Sequence, residues 1–179
     1  MVRYQQADSD AVTELIGKLS PQFFQFFLAQ VRDRARAEDV LQDFWLRIHS
    51  ARHTYRATEP ALPWLYAIAR RVAIDQYRKT RRVGLHETQV EVLPEYAAPV
   101  PPAALDWDFQ RLLSLLPEAQ REVIVMLKVS GLSIEEVARA TGSTLGAVKQ
   151  KAHRAYLKLR DAIESSQTGK DRKKSQHAL

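Results

Sequence analysis

One segment near the C-terminal end, Leu132–Arg160, restricts the possible folds more than any other, because it predicts two helices across a tight turn. Ser133 and Glu136 have the spacing of a capping box at the start of the first helix. Ala138 is small enough to let a second helix cross closely, and Gly142 suits a turn that needs a positive φ. The second helix carries a buried stripe at helical spacing, formed by Val148, Ala152, Ala155 and Leu159. Together these features predict a helix-turn-helix.

The other face of the second helix is polar and basic, and we expect it to contact DNA. Lysine and arginine side chains reach guanine or phosphate, and glutamine pairs with the major-groove edge of adenine. The residues concerned are Thr144, Lys149, Gln150, Lys151, His153 and Arg154. The alternative is a helical hairpin whose basic face is only solvated, but the turn, the caps and the basic helix together favour DNA binding.

Charge is unevenly distributed along the chain, whose net charge is +6. Residues 67–82 carry six basic and one acidic side chain, and residues 144–179 carry nine basic and three acidic ones. Between them, residues 83–109 contain five acids and neither Lys nor Arg. Each basic block is suited to neutralising DNA phosphates, although a pair of solvated helix faces would have the same composition.

Apolar residues recur at helical rather than alternating spacing in this chain, which has 45% hydrophobic residues and only 6 glycines. We therefore predict an all-α fold of two small helical domains joined by a flexible linker. Pro21 is expected to divide or kink the first helix, and Glu38 and Asp39 to lie in the first turn of the second. Helices are predicted over about residues 8–32, 36–49, 64–81, 106–115, 117–129, 133–140 and 144–165.

Proline marks the breaks between these helices. Pro60 and Pro63 predict a loop over residues 55–63, and four further prolines interrupt the pattern after Gly84. The predicted organisation is a first domain at 1–83, a linker at 84–104, a second domain at 105–166 and a basic, flexible tail at 167–179.

Several classes of function find no support in the sequence. The absence of cysteine excludes a disulfide framework, a thiolate zinc site and a cysteine nucleophile, and it suits a cytoplasmic protein. There is no signal-peptide core, membrane-length apolar run, phosphate-binding glycine loop or HExxH motif. His49 and His53 are four residues apart but lack a third ligand nearby. We therefore expect no catalytic residues, metal, cofactor or small-molecule substrate.

Two separate segments resemble a known family. AEDVLQDFWLRI and PWLYAIARRVAIDQYR, both within Ala37–Arg82, are similar to region 2 of the extracytoplasmic-function sigma factors of bacterial RNA polymerase. The segment LLSLLPEAQREVIVMLKVSGLSIEEVARATGSTLGAVKQKAHRAYLKLR, Leu112–Arg160, resembles region 4. Because the two occur in this order on either side of a short linker, the resemblance implies a promoter-recognition subunit.

The resemblance also implies roles for individual residues. Region 4 would place the polar face described above in the major groove of the −35 element. The polymerase-binding surface of region 2 would comprise Asp39, Gln42, Asp43, Trp45, Leu46 and Arg47, although Trp45 could equally be core and the acids a solvated face. The residues that would read and melt the −10 element are His53, Tyr55, Arg56, Thr58, Arg70, Arg71, Gln76, Arg78 and Lys79. Asp75 is expected to pair with a neighbouring arginine.

The implied partners are core RNA polymerase, through the clamp coiled coil of its largest subunit and its flap, and promoter DNA. An anti-sigma factor, often membrane-anchored in this family, is a further implied partner. Two other hypotheses remain open from the residues alone. One is a free-standing transcription regulator whose first domain dimerises or senses a ligand. The other is an enzyme acting on DNA, such as a recombinase, for which no suitable nucleophile is evident.

Overall fold

The computed structural model describes the backbone of residues 1–83 and 107–176, and the side chains of residues 1–78 and 109–165. Within these ranges every regular element is helical, which confirms the predicted all-α class. The elements of the first part are α1 (Val2–Gln5), α2 (Ser9–Val31), α3 (Arg34–Ala51), a 3₁₀ turn (Arg52–Thr54) and α4 (Ala61–Val83). Those of the second are α5 (Trp107–Ser114), α6 (Glu118–Ile124), a π-helical segment (Val125–Val129), α7 (Ile134–Thr141) and α8 (Leu145–Gln176).

An aromatic core holds α2, α3 and α4 together. Phe23 lies between Phe44 of α3 and Tyr66 of α4, with ring centroids 4.4 and 4.6 Å away. Phe26 and Phe27 are also fully buried. Since each buried aromatic ring removes a large apolar area from water, this cluster fixes the three long helices of the first part relative to one another.

The helix-turn-helix forms as predicted. The Ser133 hydroxyl accepts a hydrogen bond from the Glu136 amide, and the Glu136 carboxylate accepts one from the Ser133 amide. Gly142 ends α7 with a φ of 62°, the left-handed region that favours glycine. Val137, Val148 and Ala155 are fully buried where α7 packs on α8.

Several predicted features of the first part are wrong in detail. Of the two effects expected of Pro21, division of the helix does not occur, because Pro21 lies inside a continuous α2. Because α3 begins at Arg34 behind the cap residue Asp33, Glu38 and Asp39 lie beyond its first turn. Pro63 belongs to the first turn of α4, where a missing amide hydrogen costs nothing, so the loop stops at residue 60.

Two observations concern the ends of long helices. Tyr77, near the end of α4, is 55% exposed. α8 continues to Gln176, into the segment predicted as a flexible tail. The predicted linker at 84–104 lies outside the described residues.

The two parts of the chain are in contact. α4 packs against α7, and α2 packs against α6 and the π-helical segment. The Tyr66 hydroxyl donates to Ser130 Oγ, and Gln22 Nε2 donates to the Ser130 carbonyl oxygen at 3.0 Å. Burial raises the pKa of Tyr66 to about 12, so this phenol stays protonated as a donor. Buried residues from both parts form one continuous apolar core.

Candidate nucleic-acid interface

The start of α8 presents a row of exposed polar side chains. Val148, Ala152 and Ala155 turn inward against the rest of the second part. Since residues three and four apart share a face, the side chains between them are turned to solvent together. The exposed side chains are Lys149, Gln150, His153 and Arg154. They form a continuous basic and polar surface, which we call the α8 face.

Two predicted DNA-contacting residues have partners within the turn. Thr144 Oγ1 accepts a hydrogen bond from the Ala147 amide at 3.2 Å, so Thr144 caps α8. Lys151 is half-buried, and its Nζ lies 3.4 Å from Ser143 Oγ. The structure therefore gives these residues a role in shaping the turn and places them beside the α8 face, not at its centre.

The loop between α3 and α4 is internally bonded. Tyr55 is half-buried, its ring centroid lies 5.5 Å from that of Trp64, and its hydroxyl donates to the Glu59 carbonyl oxygen at 2.7 Å. The Glu59 amide donates to the Arg56 carbonyl oxygen. His53, Arg56 and Thr58 are exposed. Three of the four predicted −10 residues of this loop are thus exposed, while Tyr55 packs against Trp64 of α4.

A residue far away in sequence also contacts this loop. Nε2 of Gln5, in α1, donates to the carbonyl oxygens of Arg52 and Tyr55 at 2.9 and 2.7 Å. Sequence reasoning missed Gln5, because a lone glutamine some fifty positions from its partners produces no periodic signal.

The predicted −10 residues of α4 differ in exposure and in their partners. Arg71 and Arg78 are exposed and Gln76 is half-buried, whereas the side chain of Lys79 lies outside the described residues. Arg70 forms an ion pair with Glu122 of α6, with 2.9 Å between Nε and Oε1. Glu122 is largely buried, and this burial raises the pKa of its carboxyl, an effect that the nearby Arg70 opposes. Arg70 is therefore engaged by the second part of the chain.

One face of α3 is exposed along its length. The exposed residues are Asp39, Gln42, Asp43, Leu46 and Arg47. Leu46 is 68% exposed, which is unusual for a leucine at the centre of a helix. Arg47 Nη1 lies 2.6 Å from Asp75 Oδ2, so the expected arginine partner of Asp75 comes from the neighbouring helix.

Trp45, predicted on the same surface, is turned towards the core. Its ring centroid lies 4.9 Å from that of Phe44, and its Nε1 donates to Ser20 Oγ at 3.0 Å. Because both the ring and the N–H have partners inside the protein, only the half-exposed edge of Trp45 is available to a second molecule.

The two neighbouring histidines have different surroundings. The His49 ring lies edge-on to Tyr4, and His53 is exposed on the 3₁₀ turn. In the part of the chain that the structure describes, no group of three or more His, Cys, Asp or Glu side chains is placed to hold a metal ion. None of the described helices is long and apolar enough to cross a membrane.

Comparison with known proteins identifies both parts. The family model for sigma-70 region 2 matches residues 15–83, and that for sigma-70 region 4 matches residues 107–159. The RNA polymerase sigma factor CarQ of Myxococcus xanthus is 33% identical over 166 residues, which cover 91% of this chain and 95% of CarQ. The ECF RNA polymerase sigma factor SigD of Mycobacterium tuberculosis is 35% identical, over 87% of this chain and 78% of SigD.

The chain belongs to the extracytoplasmic-function sigma factors. It is an alternative sigma factor that directs transcription initiation by RNA polymerase. The sigma factor RpoE of Bartonella quintana, solved with the anti-sigma factor NepR, has the same fold, with a TM-score of 0.72 and 25% identity over 84% of this chain and 95% of RpoE. CnrH, solved with the cytosolic domain of CnrY, shares the fold at a TM-score of 0.70 and 20% identity, over 92% of this chain and 94% of CnrH.

Proposed function

We propose that this sigma factor reads promoters through two separate surfaces, the α8 face and the loop of residues 52–60. The observation that carries the proposal is the α8 face itself. Four polar side chains share one direction there, because the opposite side of α8 is buried and the helix packs on α6 and α7. An α-helix fits the major groove, and Lys149 and Arg154 suit guanine or phosphate, while Gln150 suits adenine. We assign this surface to the −35 element.

The loop of residues 52–60 and the exposed face of α4 are assigned to the −10 element. Capturing a base from the duplex costs a few kcal/mol of unstacking, so the capturing surface must offer polar and stacking contacts in a fixed geometry. His53, Arg56 and Thr58 supply such groups on a loop that is bonded internally. Arg71 and Arg78 extend the basic surface along α4, where it suits the sugar–phosphate backbone.

Arg70 imposes a condition on this assignment. Its guanidinium is paired with Glu122, and α4 is packed against α7. Arg70 can reach DNA only after this pair is broken. Contact of Arg70 with the promoter therefore requires the two parts of the chain to separate, with residues 84–104 serving as the tether between domains at 1–83 and 105–166.

The exposed face of α3 is assigned to core polymerase. An exposed leucine surrounded by charged and amide side chains has the composition of a protein interface. Leu46 provides the apolar centre, and Asp39, Gln42, Asp43 and Arg47 provide its polar rim. The clamp coiled coil of the largest subunit is the proposed partner, with the flap contacting the second domain.

We further propose that the chain performs no catalysis itself and acts in the cytoplasm, where the polymerase is. An anti-sigma factor is a third proposed partner, because RpoE of Bartonella quintana was solved bound to one. Such a partner would keep the chain from the polymerase until a signal releases it.

Reconstitution with core polymerase tests the proposal. The purified chain would be mixed with core enzyme and a pool of duplex templates randomised across the promoter, and the transcribed templates would be sequenced. We expect co-elution with core enzyme and two enriched sequence blocks upstream of the start. If the chain instead binds specific duplex DNA without polymerase and supports no start, it is a free-standing regulator and the proposal fails.

A further inference from the structure

A pair of hydrogen bonds without an assigned role joins the first helix to the loop assigned to the −10 element. The side-chain amide of Gln5 lies between two backbone carbonyls of that loop, 2.9 Å from the Arg52 oxygen and 2.7 Å from the Tyr55 oxygen. A primary amide nitrogen carries two hydrogens, so one group satisfies both acceptors. These carbonyls lie at the beginning of the 3₁₀ turn and immediately after its end.

The position of these two carbonyls makes the contact significant for DNA reading. His53 lies between them in the chain, and Arg56 follows directly. Holding the Tyr55 carbonyl fixes the peptide plane that leads into Arg56. Holding the Arg52 carbonyl, which also accepts the Tyr55 amide at 3.3 Å, fixes the start of the turn. The two Gln5 hydrogen bonds, which we call the Gln5 clamp, therefore define the directions in which the His53 and Arg56 side chains leave the loop.

The amide is itself held in place, although α1 has only four residues and would not be stable alone. Tyr4, next to Gln5, is buried with its ring edge-on to His49 of α3. Arg3 forms an ion pair with Asp8 at 2.9 Å, and the Asp8 amide donates to the Arg3 carbonyl oxygen. Asp8 in turn caps α2 through the amides of Asp10 and Ala11. α1 is thus anchored to α2 and α3, which pack together through the aromatic core of the first domain.

We propose that Gln5 is a positioning residue for promoter specificity, which clamps the loop of residues 52–60 in the conformation that reads the −10 element. Gln5 contacts no DNA in this role. It acts through the backbone of Arg52 and Tyr55, and so on the directions of His53 and Arg56. The inference rests on the assignment of this loop to the −10 element.

The test compares Gln5→Met with Gln6→Met in the reconstituted holoenzyme. Methionine has nearly the length of glutamine but no donor, and Gln6 is the exposed next residue, at the C-terminal cap of the same short helix. Each protein would transcribe the randomised template pool, and the preference for each base would be calculated within each of the two enriched blocks. A smaller active fraction lowers all templates equally, so it does not change these preferences.

We expect Gln5→Met to reduce base preference in the downstream block by about three- to tenfold, the effect of losing one or two intramolecular hydrogen bonds. Preference in the upstream block should be unchanged, and Gln6→Met should match wild type in both blocks. An unaltered downstream preference in Gln5→Met would overturn the inference alone. If wild type enriches no downstream block, the assignment of the loop fails and the inference fails with it.

Hydrogen exchange in the free chain gives a second readout that needs no promoter. The Tyr55 and Glu59 amides donate within the loop, and the clamp should protect them. In Gln5→Met they should exchange faster than in Gln6→Met, while the amides in the centre of α3 keep their rates. Equal loop exchange in the two variants would contradict the clamp.

Discussion

At the scale of single residues, the side chains of the α8 face owe their common direction to alanines and a valine on the opposite side of the helix. Val148 and Ala155 are fully buried, which leaves Lys149, His153 and Arg154 exposed. Within the described part of the chain, none of these three side chains has a hydrogen bond or ion pair that must break before it contacts DNA. This distinguishes them from Arg70, which is paired with a buried carboxylate.

Replacement of Lys149 or Arg154 by alanine should weaken initiation that depends on the −35 element. Each side chain is expected to contribute about 1–3 kcal/mol through a base or phosphate contact. The measurement is run-off transcription from templates with an intact or scrambled upstream block, alongside co-elution with core polymerase. Arg160→Ala is the matched control, because Arg160 is an exposed arginine further along the same helix. Equal loss of core binding in Lys149→Ala would contradict the assignment of this face.

The directions of these residues could be predicted from the sequence, and the partners of others could not. Helical spacing alone separates Val148 and Ala155 from Lys149 and Arg154. By contrast, Arg70, Tyr55 and Lys151 were predicted as DNA contacts, yet each has a partner that another element supplies. Such partners depend on how helices pack, which local periodicity does not determine.

At the scale of elements, the stability of α7 depends more on its N-terminal cap, Ser133, than on its length. With only eight residues it has few internal hydrogen bonds, so the capping box of Ser133 and Glu136 carries a large share of its stability. The local signals of cap and glycine predicted both ends of α7 correctly. The same signals did not predict where α3 and α4 begin. The cap of α3 is Asp33, and the first turn of α4 contains Pro63.

Ser133→Ala should destabilise the protein by about 1 kcal/mol, the usual cost of losing an N-terminal cap. Urea unfolding followed by circular dichroism measures this free energy. Ser165→Ala serves as the control, since the Ser165 hydroxyl donates to the carbonyl of Asp161 within α8, where alanine is a better helix former. A loss in Ser165→Ala as large as that in Ser133→Ala would mean that the cap makes no special contribution.

At the scale of the whole molecule, the main feature is the contact between its two parts. Tyr66 bonds to Ser130, Gln22 to the same residue, and Arg70 pairs with Glu122. Both domains were predicted from the sequence, each from its own motifs. Their contact was not, because it joins residues 52 to 108 positions apart that have no motif in common.

The Glu122 carboxyl makes the stability of this arrangement depend on pH. Burial raises its pKa above the ordinary value of 4.5, so the folded protein holds this proton more tightly than the unfolded chain does. Its contribution to stability is therefore full below 4.5 and is lost as the pH rises through the folded pKa. Glu122→Gln, which does not titrate, removes this dependence.

We expect the unfolding free energy of wild type, relative to Glu122→Gln, to be higher at a pH of about 4 than at about 7. Urea unfolding of both proteins at the two pH values gives this difference, in which the other carboxyls cancel. Glu135→Gln, at an exposed position in the first turn of α7, is the control and should show no such rise. A difference that increases towards pH 7 would mean that Arg70 stabilises the ionised carboxylate more than burial penalises it.

The central claim is that two surfaces of one chain read two promoter elements that the polymerase holds at a fixed spacing. The most direct measurement is run-off transcription by the reconstituted holoenzyme from templates that carry both enriched blocks at different separations. Insertion of about five base pairs, half a turn of the double helix, should lower initiation by about tenfold or more, because the α8 face and the loop can no longer engage together. Removal of either block should have a similar effect. Initiation that is independent of the separation, or that needs only one block, would contradict the account.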